Sequence, residues 1–168
     1  VAMIDLDDFK IYNDLFGHDV GDLVLRAVAE TIKKCIRSTD KLVRFGGDEF
    51  LLVVPAVQET GLRRYLRDIS DSVRDTALDD YPAIKPSVSA GGIIVEGETV
   101  KSAALKADEF MYVAKKKKDC IIAAKKSDDE LKKYVAKKER ILIVDDSELN
   151  REILSGILKS EYDVIEAE

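Results

Sequence analysis

Two short apolar runs, Lys41–Phe45 and Phe50–Pro55, are separated by Gly46-Gly47-Asp48-Glu49. Glycines between two such runs are a hairpin signal, so the chain is committed to an antiparallel strand pair with adjacent carboxylates at its tip. Val1–Ile4 is a third apolar run, and it ends in Asp5-Leu6-Asp7-Asp8. It reads as a buried strand whose C-terminal end delivers acids. Val24, Val28, Ile32 and Ile36 recur every fourth residue, and Leu62, Leu66, Ile69 and Val73 keep a similar rhythm. Both are stripes of amphipathic helices. Pro86–Val95 reads as a strand, Ser102–Lys115 as a helix and Cys120–Ala124 as a short strand. The order βαββαβαβ predicts an α/β (α+β) fold, a mixed central sheet covered by helices.

The pattern then changes. Residues 125–139 are polar and charged and read as a linker helix. Ile141–Val144 reads as a strand, Asp145-Asp146-Ser147 as a loop, Glu148–Lys159 as a helix and Asp163–Ala167 as a strand. A lone βαβ cannot bury both faces of its strands, so residues 140–168 read as the truncated start of a flavodoxin-like doubly wound domain. The 168 residues carry 33 acidic side chains against 27 Lys or Arg, a net charge of -6. That balance argues against a duplex-DNA binder, and no nucleic-acid partner is expected. Cys35 and Cys120 cannot frame a disulfide scaffold, which with the lack of a signal peptide predicts a cytoplasmic protein. No apolar run approaches the roughly 20 residues of a membrane span.

Asp5 stands at the C-terminal end of a strand, where α/β sheets place ligands. If strands 1–4 and 50–55 are neighbours, Asp48 and Glu49 converge on it. Hard oxygen ligands at a sheet edge suit Mg²⁺, which keeps some water and bridges to substrate phosphates. Two such ions would clamp the attacking and leaving oxygens of a phosphoryl transfer. The same residues admit a plainer use, with Asp7-Asp8-Phe9 as a helix-capping cluster and the glycine tip as a solvated turn.

Arg44-Phe45-Gly46-Gly47-Asp48-Glu49-Phe50 contains the motif that names the GGDEF family. Asp5–Lys10 and Asn13–Asp22 resemble that family's D-x-D-x-F-K-x-x-N-D-x-x-G-H-x-x-G-D stretch. Ser87–Gly91 and Ala107–Lys115 resemble its later S-x-G and A-D-x-x-x-Y-x-A-K segments. The resemblance covers residues 1–124 in order. It implies a nucleotidyl-cyclase, palm-like domain that condenses two GTP molecules into cyclic di-GMP and pyrophosphate, working as a homodimer with one GTP in each domain. It implies Mg²⁺ (or Mn²⁺) held by Asp5, Glu49 and the Leu6 carbonyl. Asp48 would assist ion binding or deprotonate the 3′-hydroxyl. Asn13 and Asp22 would bind guanine, and Lys10 and Lys115 the phosphates, with Gly46 and Gly47 letting the backbone approach the nucleotide. Arg37-Ser38-Thr39-Asp40 resembles the family's R-x-x-D inhibitory site, where Arg37 and Asp40 would hold the cyclic product. The alternative within the resemblance is a module that binds GTP or cyclic di-GMP without turning it over.

Two departures stand out. The family's N-terminal helix and its D-x-L-T-G-L-x-N-R segment would precede Val1. Its K-x-x-G-[RK]-N ending reads Lys115-Lys116-Lys117-Lys118-Asp119-Cys120, with an acid where a phosphate-facing cation is expected. At the C-terminal end, Ile141–Ser147 and Asn150-Arg151 resemble the opening of a response-regulator receiver domain. Asp145 and Asp146 would be its acidic pair.

Overall fold

A computed structural model of the chain describes residues 1–125, 140–159 and 162–167. Its elements are β1 (Ala2–Leu6), α1 (Phe9–Phe16), α2 (His18–Cys35), β2 (Lys41–Arg44), β3 (Glu49–Val53), α3 (Glu59–Arg74), β4 (Val88–Ile94), α4 (Val100–Lys115), β5 (Ile121–Lys125), β6 (Arg140–Val144), α5 (Glu148–Leu158) and β7 (Asp163–Ala167). They form two separate units, residues 1–127 and 128–168.

In the first unit a five-stranded sheet has the order β2-β3-β1-β4-β5. β1 lies antiparallel to both β3 and β4, β2 is antiparallel to β3, and β5 runs parallel to β4. The sheet is therefore mixed, and β1 and β3 are neighbours, which meets the condition for Asp48 and Glu49 to approach Asp5. Every residue of β1 is buried. A strand alternates its side chains, so Ala2, Ile4 and Leu6 face one layer and Met3 and Asp5 the other. The first layer is closed by α2 and α3. The predicted α3 stripe Leu62, Leu66, Ile69 and Val73 is fully buried, and on α2 Val24, Val28 and Ile32 are too. Each such side chain contributes roughly 1.5–3 kcal/mol of burial.

The opposite face is covered by α4, started by Thr99, whose hydroxyl accepts from the Ser102 amide at 3.2 Å. α4 meets the sheet through Ala103, Ala107, Phe110, Met111 and Ala114. It comes so close to β4 that a Cβ on Gly91 would overlap the backbone of Ala107, Phe110 and Met111. That approach carries the C-terminal end of α4, with Lys115, over the end of β1.

Three expectations change. A short helix, α1, stands between β1 and α2, where the apolar rhythms predict no element. Ile36 is the extended residue that ends α2 rather than part of its stripe. The predicted linker helix 125–139 lies outside the described residues, apart from Lys125, which closes β5. In the second unit β6 and β7 pair in parallel across α5. Of the second unit's apolar residues, Ile143 is buried, while Ile153, Leu154 and Ile157 are exposed.

Candidate active site

Cross-strand register builds the centre of the site. Asp5 stands directly opposite Glu49 on β3 and opposite Ser89 on β4. The hairpin is stitched to β1 by the Leu6 amide donating to the Asp48 carbonyl at 3.1 Å. Its tip is closed by Arg44, whose guanidinium donates twice to the Gly47 carbonyl at 3.0 and 2.7 Å. Gly46 makes room for the hairpin's own acid, since a Cβ there would lie 2.8 Å from Glu49 Oε2. Gly47 has open space around it.

Asp5 is 1% exposed. Lys115 Nζ lies 2.7 Å from its carboxylate oxygens, donating to Oδ2, while the buried Oδ1 has no hydrogen-bond partner. Burial pushes the Asp5 carboxyl up to about 6, the Lys115 bond pulls it down, and the charges of Asp48 and Glu49 push it up again. Lys115 is also raised: burial pulls it down, but the bond to Asp5 together with the charges of Asp5, Asp48 and Asp7 outweighs that. The two rises are compatible because the pair is asymmetric: the acid side chain is 2% exposed and the lysine 43%. Desolvation falls on the carboxylate, and the lysine keeps water.

Asp7 does something else. Its Oδ2 accepts from the Ser87 hydroxyl at 2.8 Å and the Asp119 amide at 2.9 Å, and its Oδ1 accepts from the Ser89 hydroxyl at 2.8 Å. It is a buried anchor that ties the ends of β1 and β4 to the turn after α4. Asp8 heads α1 with a left-handed φ of 56°, and its side chain makes no cap bond. It takes Lys118 instead, at 2.8 and 2.9 Å. Asp119 is turned toward α3, with Arg74 at 2.6 and 2.7 Å and Ser70 at 3.1 Å. Lys118 and Asp119 both hold positive φ, 53° and 46°, which lets this tight turn send the lysine and the acid to different partners.

The predicted guanine-binding pair comes from α1 and α2. Asn13 is pressed on Gly21, where a Cβ would overlap its amide oxygen, and Asp22 follows at an exposed position. Lys10 is exposed in the first turn of α1. Arg37 is exposed, whereas Asp40 is buried among its own turn's donors and the Tyr65 hydroxyl of α3. In the second unit Asp145 accepts from the Ser147 amide at 2.8 Å and from the Asn150 side chain at 3.2 and 3.3 Å, and Asp146 is exposed. Asp7, Ser87 and Ser89 enter the sequence analysis only inside longer runs, with no site role, and Tyr65 not at all. For Asp7 a signal existed, because strand alternation puts it on the face of Asp5.

A buried carboxylate facing a second carboxylate across a strand pair is the donor set expected for Mg²⁺. Among the described residues no three His, Cys, Asp or Glu side chains are grouped so as to hold a metal by themselves. Mg²⁺ commonly takes one or two protein carboxylates and completes its shell with water and substrate phosphate.

A mixed sheet with an acid on its central strand facing the acid of a glycine hairpin defines a GGDEF-type domain. The family model described as "Diguanylate cyclase, GGDEF domain" matches residues 1–120, and the chain belongs to that family. Diguanylate cyclase A of Treponema denticola is 34% identical over 118 residues, covering 68% of this chain and 32% of the relative. Diguanylate cyclase DosC of Escherichia coli K12 is 35% identical over 120 residues, covering 70% of this chain and 26% of the relative. The chain thus spans about a third or less of these curated relatives. Among solved structures, diguanylate cyclase SiaD of Pseudomonas aeruginosa, in complex with its activator SiaC, superposes with a TM-score of 0.67 at 35% identity, over 72% of this chain and 48% of that one. The GGDEF domain of DgcB from Caulobacter crescentus, in complex with c-di-GMP, superposes with a TM-score of 0.66 at 28% identity, over 72% of this chain and 74% of that one. Among the described residues no helix is long and apolar enough to cross a membrane.

Proposed function

We propose that this protein is a diguanylate cyclase that joins two GTP molecules, one held by each of two facing domains, into cyclic di-GMP. The observation that carries the reading is Asp5, a buried carboxylate paired with Lys115 and facing Glu49 across the β1–β3 pair. Asp5, Glu49 and the Leu6 carbonyl would hold Mg²⁺ (or Mn²⁺), which when bound supplies charge neutralisation at the phosphates. Asn13 and Asp22 bind the guanine edge, an amide and a carboxylate matching its acceptors and donors. Lys10 contacts the triphosphate, and Lys115 exchanges its bond to Asp5 for one to phosphate. Asp48 takes the proton from the 3′-hydroxyl. That oxygen forms a bond to the α-phosphorus of the partner's GTP, the α–β anhydride bond breaks, and pyrophosphate leaves. The same step in the opposite sense closes the ring. Alignment of the two nucleotides supplies much of the rate.

The Arg37–Asp40 turn is read as the site where product returns to restrain the enzyme. The cytoplasm is where GTP is available, and the domain is placed there. Residues 140–168 are read as the start of a receiver, supported by the parallel β6–α5–β7 unit and by Asp145 and Asp146 at the end of β6. A binding-only module is the second reading, favoured by Asp119, which sits on Arg74 instead of offering a cation to the site. Incubation with GTP and Mg²⁺, followed by chromatography, separates the two. Cyclic di-GMP and pyrophosphate in a 1:2 ratio support the cyclase, and unchanged GTP refutes it.

A further inference from the structure

The turn bearing Arg37 and Asp40 is closed on itself by a residue from another helix. Asp40 is 5% exposed, although Arg37, Ser38 and Thr39 beside it are exposed. Its Oδ2 accepts from the Arg37 amide at 2.9 Å and from the Tyr65 hydroxyl at 2.6 Å. Its Oδ1 accepts from the Thr39 hydroxyl at 3.3 Å. The Tyr65 oxygen is also 3.3 Å from the Cys35 carbonyl, but a phenol has one proton, and the shorter contact to a charged oxygen takes it. The oxygen in turn accepts from the Arg37 amide at 3.1 Å. The Arg37 guanidinium lies 5.6 Å from the centre of the Tyr65 ring, within cation–π range.

These contacts are mutually consistent in their electrostatics. Burial raises Asp40, but the bonds from Tyr65, Arg37 and Thr39 more than offset it and hold the carboxyl below its ordinary value. Burial and the bond to Asp40 push the Tyr65 phenol up to about 12. The turn is therefore a satisfied network in the free protein.

A guanine base presents two parallel N–H donors, and a carboxylate meets such a fork with both oxygens side by side. One of those oxygens is already committed to Tyr65, and the arginine that would pair with phosphate or stack on the base rests on the same ring. We propose that Tyr65 is a built-in competitor of the cyclic dinucleotide at the Arg37–Asp40 turn, so that product binds only when Tyr65 gives way. The inference rests on the reading of this turn as a product site. It assigns the affinity of that site to α3, a helix that supplies none of the residues of the carboxylate cluster. When only a fraction of the protein is open, the apparent dissociation constant is raised by the inverse of that fraction.

Tyr65→Phe keeps the ring under Arg37 and removes the hydroxyl. Calorimetric titration with cyclic di-GMP should give a dissociation constant about tenfold lower than in the wild type, as expected if the open turn is populated at about one part in ten. Asp40→Asn in the Tyr65→Phe background should remove that gain. In the wild type, NMR signals of the Tyr65 ring should shift as cyclic di-GMP is added. An unchanged dissociation constant in Tyr65→Phe overturns the proposal. A weaker one overturns it in the other direction, making Tyr65 a support of the turn. Unshifted Tyr65 signals at saturating cyclic di-GMP overturn it without recourse to any variant. If neither protein binds cyclic di-GMP, the turn is not a product site and the inference falls. The cyclase reading is judged apart from this, by conversion of GTP.

Discussion

Asp5→Asn should stabilise the ligand-free fold while abolishing its chemistry. The side chain is almost fully buried and holds its proton up to about pH 6, against an ordinary value of 3.8. At roughly 1.4 kcal/mol per pH unit, that rise corresponds to about 3 kcal/mol of unfavourable free energy once the group is ionised. The opposing pull of Lys115 is already contained in that figure. Because the folded chain binds the proton more tightly than the unfolded one, the penalty is absent below about pH 4. It grows as the pH rises and is complete above about pH 6. Asparagine keeps the shape and removes the charge, and the half-exposed Lys115 can turn to water. Urea denaturation without divalent ions should therefore show the variant more stable than wild type at pH 7.5, by up to about 3 kcal/mol, or roughly 1–3 M in midpoint. The two proteins should coincide near pH 4. Cyclic di-GMP formation should be lost. A variant less stable than wild type at pH 7.5, or a gain that does not fade toward pH 4, would refute the claim that this carboxylate is held at a cost for the sake of its ligand.

Glu49→Gln should lower the rate of cyclic di-GMP formation at least about a hundredfold and weaken Mg²⁺-dependent GTP binding, because it removes a charge at the site while keeping the packing; steady-state kinetics and calorimetry read both. Asp7→Ala should destabilise the fold by about 3 kcal/mol, since the buried Ser89 hydroxyl and the part-buried donors of Ser87 and Asp119 lose their acceptor together; thermal melting measures it. Gly91→Ala should cost about 3 kcal/mol or more, because its Cβ has only the backbone of α4 to move into. Its melting curve should lie well below that of Gly97→Ala, where nothing stands within 4 Å, although a positive φ of 77° adds its own strain there.

Long apolar rhythms were legible in the sequence because burial alone sets them. Leu62, Leu66, Ile69 and Val73 have one face to hide, and a 3.6-residue period shows it. The meeting of Asp5 with Glu49 was legible too, since a strand ending in acids and a hairpin tipped with acids have few ways to pair. Helix α1 was not. It is eight residues long, none of them fully buried, and Gly17 cuts it from α2, so its apolar face, with Phe9 and Tyr12 on the core, is too short to stand out. The division of labour among Asp5, Asp7 and Asp8 needed the backbone: alternation sends the first two inward, and a left-handed turn sends the third to Lys118. Tyr65 and Asp119 act across 25 and 45 residues of chain, on Asp40 and Arg74 respectively. Nothing in the sequence around either residue specifies a partner so far away.

β1 is hydrogen-bonded along both of its edges, while the hairpin that carries Asp48 leads on one side to β2, which has no further strand beyond it among the described residues. The two walls of the site therefore belong to different regimes of motion. The Asp5 amide can exchange with solvent only when the middle of the sheet opens, which approaches global unfolding, whereas the amides of residues 45–48 can open by local fraying of an edge. Any tightening on nucleotide binding must be taken up by the hairpin closing on a fixed floor. Deuterium uptake should accordingly slow at residues 45–48 when nucleotide and Mg²⁺ are added, with β1 already as slow as it will become.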